Sequence, residues 1–201
     1  DTVIVNTCAV TGEAVRQARQ TIRKLRRQHP ERRIIVTGCA AQLAPDTFAR
    51  MPEVDRVLGN AEKLDRHRLA ADAPVIVDDI MTAGETAGHL LAGFEGRSRA
   101  FVQVQQGCDH RCTFCIIPFA RGPNRSVPVN RIVEAVRLLV TAGHGEVVLT
   151  GVDICSYGAD RAEGPTLADV VAAVLADVPD LRRLRLSSLD PATVGDDLIA
   201  L

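Results

Sequence analysis

The chain has 201 residues, a formal net charge of −1, 46% hydrophobic residues and 24% charged residues. This length accommodates one large domain or two modest ones, and the balanced charge excludes a chain that is basic throughout, so a nucleic-acid partner would have to be bound by a local patch. Because aromatic residues make up only 3% and tryptophan is absent, aliphatic side chains must fill the core.

Six cysteines are present, but the sequence contains neither a signal peptide nor an apolar stretch of membrane length. Clustered cysteines in such a chain favour metal binding or catalysis over cross-links, and we expect a cytoplasmic protein with no membrane partner. Asp1 leads directly into a strand pattern, and Leu201 lies within the start of a helix pattern. We therefore expect a fragment that is truncated at both ends.

The first 80 residues alternate apolar strand-like runs with helical patterns. The predicted strands are 2–6, 33–37, 54–58 and 75–77, and the predicted helices are 12–28 and 61–71. The strands are continuous apolar runs, which are typical of parallel strands buried on both faces. The first helix has an apolar stripe formed by Val15, Ala18, Ile22 and Leu25. This alternation predicts an α/β domain over residues 1–80.

A row of arginines follows the apolar stripe of the first predicted helix, at Arg16, Arg19, Arg23 and Arg27. The simpler interpretation is a solvated helix surface. The alternative is a stripe that contacts the phosphates of a nucleic acid.

Two cysteines, Cys8 and Cys39, lie two residues beyond the ends of the first two predicted strands. In open α/β sheets, ligands bind beyond the carboxyl ends of the strands. Free cysteines are common in cores, but two at equivalent strand ends predict a shared site. Two thiolates are too few to hold an iron–sulfur cluster, so at least one further ligand is needed.

A linker is predicted at 81–97, within a glycine-containing stretch that has no periodicity, and a second domain is predicted at 98–201. Its strands and helices alternate, at 100–106, 130–142, 146–152, 166–177 and 182–188. This alternation predicts right-handed crossovers and a second parallel sheet.

The helices of the second domain carry recognisable end signals. Asn130 is positioned to cap the first helix and Gly143 to end it. Thr166, three residues before Asp169, predicts a capping box at the start of the second helix.

Residues 107–122, GCDHRCTFCIIPFARG, hold three cysteines within eight residues: Cys108, Cys112 and Cys115. Such soft thiolates select iron–sulfur clusters, zinc or copper(I). Three thiolates on a four-iron cluster leave one iron without a protein ligand, where a substrate or cofactor can bind. The alternatives are a structural zinc loop or a disulfide pair with a spare thiol, although this spacing falls outside the zinc patterns, and His110 cannot readily converge with all three thiols.

The CxxxCxxC spacing, with Phe114 directly before the third cysteine, resembles the signature of radical S-adenosylmethionine (SAM) enzymes. Four further stretches, at 6–11 (NTCAVT), 37–42 (TGCAAQ), 149–158 (LTGVDICSYG) and 185–191 (RLSSLDP), resemble radical SAM methylthiotransferases in the family's order. The resemblance covers essentially the whole chain.

The resemblance implies a two-domain α/β fold. It implies a Rossmann-like methylthiotransferase domain at 1–80 that lacks its first strand and first cluster cysteine. It also implies the first half of a radical SAM partial (β/α) barrel at 98–201. The second half of the barrel and the family's C-terminal RNA-binding domain are absent from this sequence.

The resemblance also implies two 4Fe-4S clusters. Cys108, Cys112 and Cys115 match the ligands of the SAM-binding cluster. Cys8 and Cys39 match the second and third ligands of the N-terminal cluster, whose first ligand lies upstream of Asp1 in the family. Cys155 is at a position where the family more often has threonine, and we interpret it as a packing residue.

The candidate residues for binding SAM follow two strands of the second domain, at Thr150, Gly151, Asp153, Ser187 and Ser188. For the two serines, ordinary hydrogen bonding at a strand end is an equally good interpretation. Arg121 is a further candidate for contacting substrate or a SAM carboxylate.

The reaction implied is the addition of a methylthio group to C2 of N6-threonylcarbamoyladenosine at position 37 of a tRNA. The implied partners are the tRNA anticodon loop and an electron donor protein. The run GVD at 151–153 and the run IIP at 116–118 resemble this branch of the family. The run GCDHRC at 107–112 also resembles the branch that modifies an aspartate of a ribosomal protein. A catalytically incomplete iron–sulfur-binding fragment is the third possibility.

Overall fold

A four-stranded parallel sheet organises the N-terminal part of the computed structural model, which describes residues 1–84, 96–162 and 164–201. The strands follow one another across the sheet in chain order: β1 (Thr2–Thr7), β2 (Arg33–Gly38), β3 (Arg56–Leu58) and β4 (Val75–Ile76). All neighbouring pairs are parallel. The four predicted strands are therefore confirmed, with small shifts at their ends.

Five α-helices belong to the same unit of the chain, which comprises residues 1–83 and 109–123. They are α1 (Gly12–Gln28), α2 (Cys39–Leu43), α3 (Pro45–Ala49), α4 (Arg66–Ala70) and α5 (Ile117–Arg121). Helix α1 has the predicted bounds, because the Thr11 side chain caps it by accepting a hydrogen bond from the N–H of Ala14 at 3.1 Å. Its Ile22 packs in the core with Ile34 and Phe48.

The second unit comprises residues 84–108 and 124–201. Its main sheet has three parallel strands in the order β5, β8, β9, and a small antiparallel pair joins β6 to β7. The strands are β5 (Arg99–Gln103), β6 (Gln105–Gln106), β7 (Arg125–Ser126), β8 (Glu146–Thr150) and β9 (Arg183–Leu186). The helices are α6 (Val129–Thr141), α7 (Leu167–Asp177) and α8 (Asp196–Ile199). A mixed α/β fold with parallel sheets is thus confirmed, while most of the predicted linker at 81–97 lies outside the described residues.

The end signals of the second unit are partly confirmed. Thr166 and Asp169 form the predicted capping box, and Gly143 follows α6 with a positive φ of 94°. The prediction that Asn130 caps α6 is wrong. Pro128 occupies the cap position with a φ of −55°, so the helix begins at the next residue and Asn130 lies inside its first turn.

The buried Tyr157 is the only tyrosine of the chain, and there is no tryptophan. Its hydroxyl donates a hydrogen bond to the carbonyl oxygen of Val127, and burial raises its pKa to about 12, although the nearby Arg161 acts in the opposite direction. We expect phenolate absorbance to appear near pH 12 in the folded protein and near pH 10 in denaturant.

The same shift makes the folding free energy depend on pH. Because the pKa of Tyr157 is higher in the folded state, its stabilising contribution is complete below about pH 10 and is lost as the pH rises towards 12. The Tyr157→Phe variant is the control, because it removes the absorbance signal altogether. A folded protein whose phenolate forms at pH 10 would contradict the prediction.

Within the described residues, no helix is both long enough and apolar enough to cross a membrane.

Candidate functional site

The cysteines Cys8 and Cys39 lie at the same edge of the first sheet. Thr7 and Gly38 are the last paired residues of β1 and β2, and each cysteine is the next residue of the chain, Cys39 being the first residue of α2. Since neighbouring strands lie about 4.8 Å apart, both cysteines follow the carboxyl ends of neighbouring strands. The predicted placement at neighbouring strand ends is found. The role of the two thiols as metal ligands stays a prediction.

A glycine allows the two strand ends to approach each other closely. Gly38 has a φ of 98°, and a Cβ atom at this position would lie 2.3 Å from the carbonyl oxygen of Thr7. Only glycine fits such a position without strain. The hydroxyl of Thr7 donates to the carbonyl oxygen of Thr37 at 2.7 Å and accepts from the N–H of Ala41 at 3.2 Å, so the buried threonine also attaches the start of α2 to the sheet.

Polar side chains surround the sulfur of Cys39. The Nε of Arg121 lies 3.0 Å from this sulfur, and the Nδ2 of Asn60 lies 4.0 Å from it. Asn60 also donates to the carbonyl oxygen of Ala120 at 2.8 Å, and its Oδ1 accepts from the Nζ of Lys63 at 2.9 Å. Cys39 is therefore within hydrogen-bond reach of a cation and an amide.

Burial and the neighbouring charges also shift the pKa of Lys63. Burial lowers the pKa of Lys63 to about 8, the charge of Arg121 acts in the same direction, and Cys39 acts in the opposite direction. The sequence analysis did not identify Asn60 and Lys63 as neighbours of Cys39. The position of Asn60 shortly after β3, at the same edge of the sheet as the two cysteines, could have indicated that it lies near them.

Along the chain, the division into two units falls within the cysteine loop, since Cys108 belongs to the second unit and the segment from Asp109 to the first. The N–H of Cys115 donates to the carbonyl oxygen of Cys112 at 3.0 Å, which closes a tight turn between these two cysteines. Phe114, between them, is 92% exposed. None of the six cysteines of the chain forms a disulfide.

In residues 1–84, 96–162 and 164–201, no three Cys, His, Asp or Glu side chains are arranged as a metal site. The fit of Cys108, Cys112 and Cys115 to an iron–sulfur cluster therefore depends on their chemistry. They are three thiols in a short loop, and thiolates are the ligands that such clusters use.

The buried side chain of Gln105 connects the entrance of the cysteine loop to the loop after β8. Its Oε1 accepts hydrogen bonds from the N–H groups of Val152 and Asp153, both at 2.9 Å. Its Nε2 donates to the carbonyl oxygen of Gly107 at 2.7 Å and to the Oδ1 of Asn124 at 2.6 Å. The glutamine is fully buried, and both ends of its amide are bonded, so it holds the two loops in one arrangement.

The predicted cofactor residues after β8 are packed against this glutamine. A Cβ atom at Gly151 would lie 2.8 Å from the Oε1 of Gln105, so the close contact requires a glycine. The Oδ2 of Asp153 lies 3.7 Å from the sulfur of Cys108 and accepts from the hydroxyl of Ser156 at 2.7 Å. The structure therefore brings Asp153 and Cys108 together within the second unit.

The remaining predicted cofactor residues lie at the same sheet edge. In the register of the sheet, Thr150 is paired with Gln103 of β5, and β9 ends opposite β8. The N–H of Ser187 donates to the carbonyl oxygen of Leu149 at 2.9 Å, which is ordinary hydrogen bonding at a strand end, and Ser188 is exposed. Their role in binding a cofactor stays a prediction.

Cys155 is half-buried and lines a small cavity of the second unit together with Tyr157 and Leu167. This position agrees with its interpretation as a packing residue.

The arginine row on α1 is partly neutralised by acidic side chains. Arg16 forms an ion pair with Glu13 at 2.6 Å, and Arg23 lies 3.9 Å from a carboxylate oxygen of Glu53. Exposed ion pairs contribute little stability, but they reduce the local positive charge. This favours the interpretation of the row as a solvated surface.

Comparisons with known proteins find a matching family for each of two parts of the chain. Residues 1–59 match the family described as "Uncharacterized protein family UPF0004", and residues 102–187 match the radical SAM superfamily. The protein named threonylcarbamoyladenosine tRNA methylthiotransferase MtaB from Rickettsia prowazekii is 53% identical over 98% of this chain and 47% of its own length. The protein of that name from Bacillus subtilis is 35% identical over 99% of this chain and 45% of its own length.

A relative with a different name is also similar. The ribosomal protein uS12 methylthiotransferase RimO from Sorangium cellulosum is 38% identical over all of this chain and 43% of its own length. The chain thus spans about half the length of the curated relatives it matches.

Among solved structures, the radical SAM methyltransferase TsrM from Kitasatospora setae, with tryptophan and a SAM analogue bound, has a TM-score of 0.63. The match covers 99% of this chain and 45% of that one, at 16% identity, and it supports the fold alone. The two family matches identify a UPF0004 region and a radical SAM domain, and the chain is similar over nearly its whole length to proteins named methylthiotransferases.

Proposed function

We propose that this chain is part of a radical SAM methylthiotransferase that adds a methylthio group to C2 of N6-threonylcarbamoyladenosine at position 37 of a tRNA. The observation that carries the proposal is the 53% identity, over nearly the whole chain, to the relative named threonylcarbamoyladenosine tRNA methylthiotransferase MtaB. Other relatives of that name are 34–38% identical.

The architecture supports a division into two functional domains. We assign residues 1–80 to a Rossmann-like methylthiotransferase domain, which the four-stranded parallel sheet supports. We assign residues 98–201 to the first half of a partial (β/α) barrel. The parallel strands β5, β8 and β9, alternating with α6 and α7, support this assignment.

Cys108, Cys112 and Cys115 would hold one 4Fe-4S cluster. Such a cluster, when bound together with SAM, supplies an electron that cleaves SAM and thereby provides a radical able to remove hydrogen from C2 of the adenosine. The protein contributes orientation and the exclusion of water. Gln105 holds the backbone at Gly107 and Asp153, and this fixes the position of Cys108 relative to the loop that follows β8.

The loop after β8 would bind SAM through Thr150, Gly151 and Asp153, with Ser187 and Ser188 from the neighbouring strand end. The Asp153 carboxylate accepts a hydrogen bond from Ser156, which fixes the carboxylate's orientation. An ordered acceptor of this kind suits a cofactor that carries a positively charged amino group and a sulfonium.

Cys8 and Cys39 would hold a second 4Fe-4S cluster that carries the sulfur to be transferred. Their adjacent positions at one sheet edge support this role. A third ligand must come from elsewhere. We further infer that the partners are the anticodon loop of the tRNA and an electron donor protein, and that the protein acts in the cytoplasm.

Nucleoside analysis of tRNA tests the proposal. In a strain that lacks the gene, N6-threonylcarbamoyladenosine is expected to lose its 2-methylthio group, and the gene at its native length is expected to restore it. A gene encoding Cys112→Ser is the matched control and is expected not to restore the modification. Unchanged tRNA in the deletion strain would contradict the proposal.

A second candidate function is methylthiolation of an aspartate in a ribosomal protein, which the 38% identity to RimO from Sorangium cellulosum favours. The mass of ribosomal proteins from the same deletion strain separates the two candidates, because this activity would alter a ribosomal protein and leave the tRNA unchanged. A catalytically incomplete iron–sulfur fragment would alter neither, although it would still bind iron under anaerobic conditions.

A further inference from the structure

A half-buried lysine at the carboxyl edge of the first sheet has only neutral hydrogen-bond acceptors. Lys63 follows β3, and its Nζ donates to the Oδ1 of Asn60 at 2.9 Å and lies 3.4 Å from the Oδ1 of Asn6. Both acceptors are side-chain amides. Among the residues that the structure describes, no carboxylate forms an ion pair with this lysine. The ammonium charge is therefore not neutralised by the part of the chain around it.

The neighbours of Lys63 hold its ammonium group in place. Asn60 is 8% exposed, and its Nδ2 donates to the carbonyl oxygen of Ala120 at 2.8 Å, so its Oδ1 is directed to the lysine. The amide of Asn6 lies against Gly38, where a Cβ atom would be 3.0 Å from the Oδ1 of Asn6. The ammonium is thus fixed at the edge where β1, β2 and β3 end, which is where open α/β sheets bind ligands.

The group formed by Asn6, Asn60 and Lys63 offers hydrogen-bond donors and positive charge to a ligand. An ammonium has three N–H donors, of which the two amides accept two. The Nδ2 of the exposed Asn6 adds further donors. Burial and the nearby positive charge of Arg121 both lower the pKa of Lys63, and a bound anion would oppose both effects. This combination suits an oxyanion, which is a carboxylate or a phosphate.

We propose that Lys63, held by Asn6 and Asn60, binds the carboxylate of the threonylcarbamoyl group and thereby selects N6-threonylcarbamoyladenosine over unmodified adenosine. The inference rests on the proposed function, because it takes this modified nucleoside as the substrate. The threonyl part carries a carboxylate that adenosine lacks, and such a carboxylate is ionised at neutral pH. Its hydrogen bond to an ammonium is charge-assisted and about twice as strong as a bond between neutral groups.

A phosphate of the RNA backbone has the same sign of charge, but it is flanked by two riboses. The threonyl carboxylate lies at the end of a substituent that projects from the base. Because Lys63 is half-buried between two amides, a projecting group of this kind reaches it more easily than the backbone does. The position of the lysine therefore favours the carboxylate as the oxyanion that it binds.

The test compares the binding of synthetic anticodon stem-loops to the protein at its native length, measured by fluorescence anisotropy. One loop carries N6-threonylcarbamoyladenosine at position 37, and another carries adenosine there. Lys63→Met keeps the length of the side chain and removes its charge. It is expected to raise the Kd for the modified loop about tenfold and to leave the Kd for the unmodified loop unchanged. Lys63→Arg, which keeps the charge, is expected to retain part of the preference.

A third loop, whose threonyl carboxylate is converted to a methyl ester, tests the parent protein without relying on the folding of any variant. The parent is expected to bind this ester about tenfold more weakly than the carboxylate. Lys63→Met is expected to bind the ester and the carboxylate equally, because it lacks the charge that distinguishes them.

Lys24→Met is the matched control, because Lys24 is the other lysine of the chain and is exposed on α1. It is expected to leave the ratio of the Kd values for the modified and unmodified loops unchanged. Three results would overturn the inference while the proposed function stands: an unaltered preference in Lys63→Met, an equal weakening of both loops, which would assign the lysine to a phosphate, or a parent that binds ester and carboxylate alike. A parent that binds none of the loops would overturn the proposed function as well.

Discussion

Replacing Cys112 by serine is expected to remove the proposed SAM-binding cluster and to abolish the formation of 5′-deoxyadenosine from SAM. Cys112 is exposed and closes a tight turn with Cys115, so the loop itself tolerates the change. Loss of a direct ligand should weaken iron binding by more than about 100-fold, which is the upper range for residues that only support a ligand. The measurements are the iron content per chain and the yield of 5′-deoxyadenosine after anaerobic reconstitution.

Cys155→Ser is the matched control for this experiment. Cys155 is likewise a cysteine without a disulfide, but it is half-buried and lines a cavity beside Tyr157. We expect its variant to retain the iron and the cleavage of SAM. If Cys112→Ser retained the iron content of the parent protein, the assignment of the three loop cysteines as one ligand set would be wrong.

Replacing Gln105 by leucine is expected to destabilise the second unit by about 4 kcal/mol. The change leaves buried N–H groups at Val152 and Asp153 and acceptors at Gly107 and Asn124 without the partner they have now. Each such loss costs about 1–3 kcal/mol, and partial rearrangement reduces the sum. The measurement is the midpoint of denaturant unfolding at constant slope.

Gln103→Leu provides a control of the same residue type in the preceding strand. The buried Nε2 of Gln103 has no hydrogen-bond partner among the residues that the structure describes, so its removal is expected to change the unfolding free energy by less than about 0.5 kcal/mol. A Gln105→Leu variant as stable as Gln103→Leu would show that the glutamine does not hold the two loops together. Weaker SAM binding by Gln105→Leu, measured below its unfolding midpoint, is the functional consequence that we expect.

The strands and long helices of both units follow from short-range patterns. Helix α1 has its predicted bounds, and the capping box at Thr166 forms as expected, because both depend on residues within a few positions of each other. The start of α6 was missed by one residue, since Pro128 takes the cap position ahead of Asn130. The short helix α5 was also missed, because five residues carry too little periodicity to be recognised.

The amino-acid order alone predicts the type of chemistry. Three cysteines in a short loop favour iron–sulfur ligation, and two more after parallel strands predict a shared site, because ligand type and spacing are local properties. The polar groups around these cysteines could not be predicted from the sequence. Arg121 and Cys39 are 82 positions apart, and Gln105 is bonded to groups up to 48 positions away. Such contacts depend on how sheets and loops pack, so only the folded chain reveals which polar groups support each cysteine.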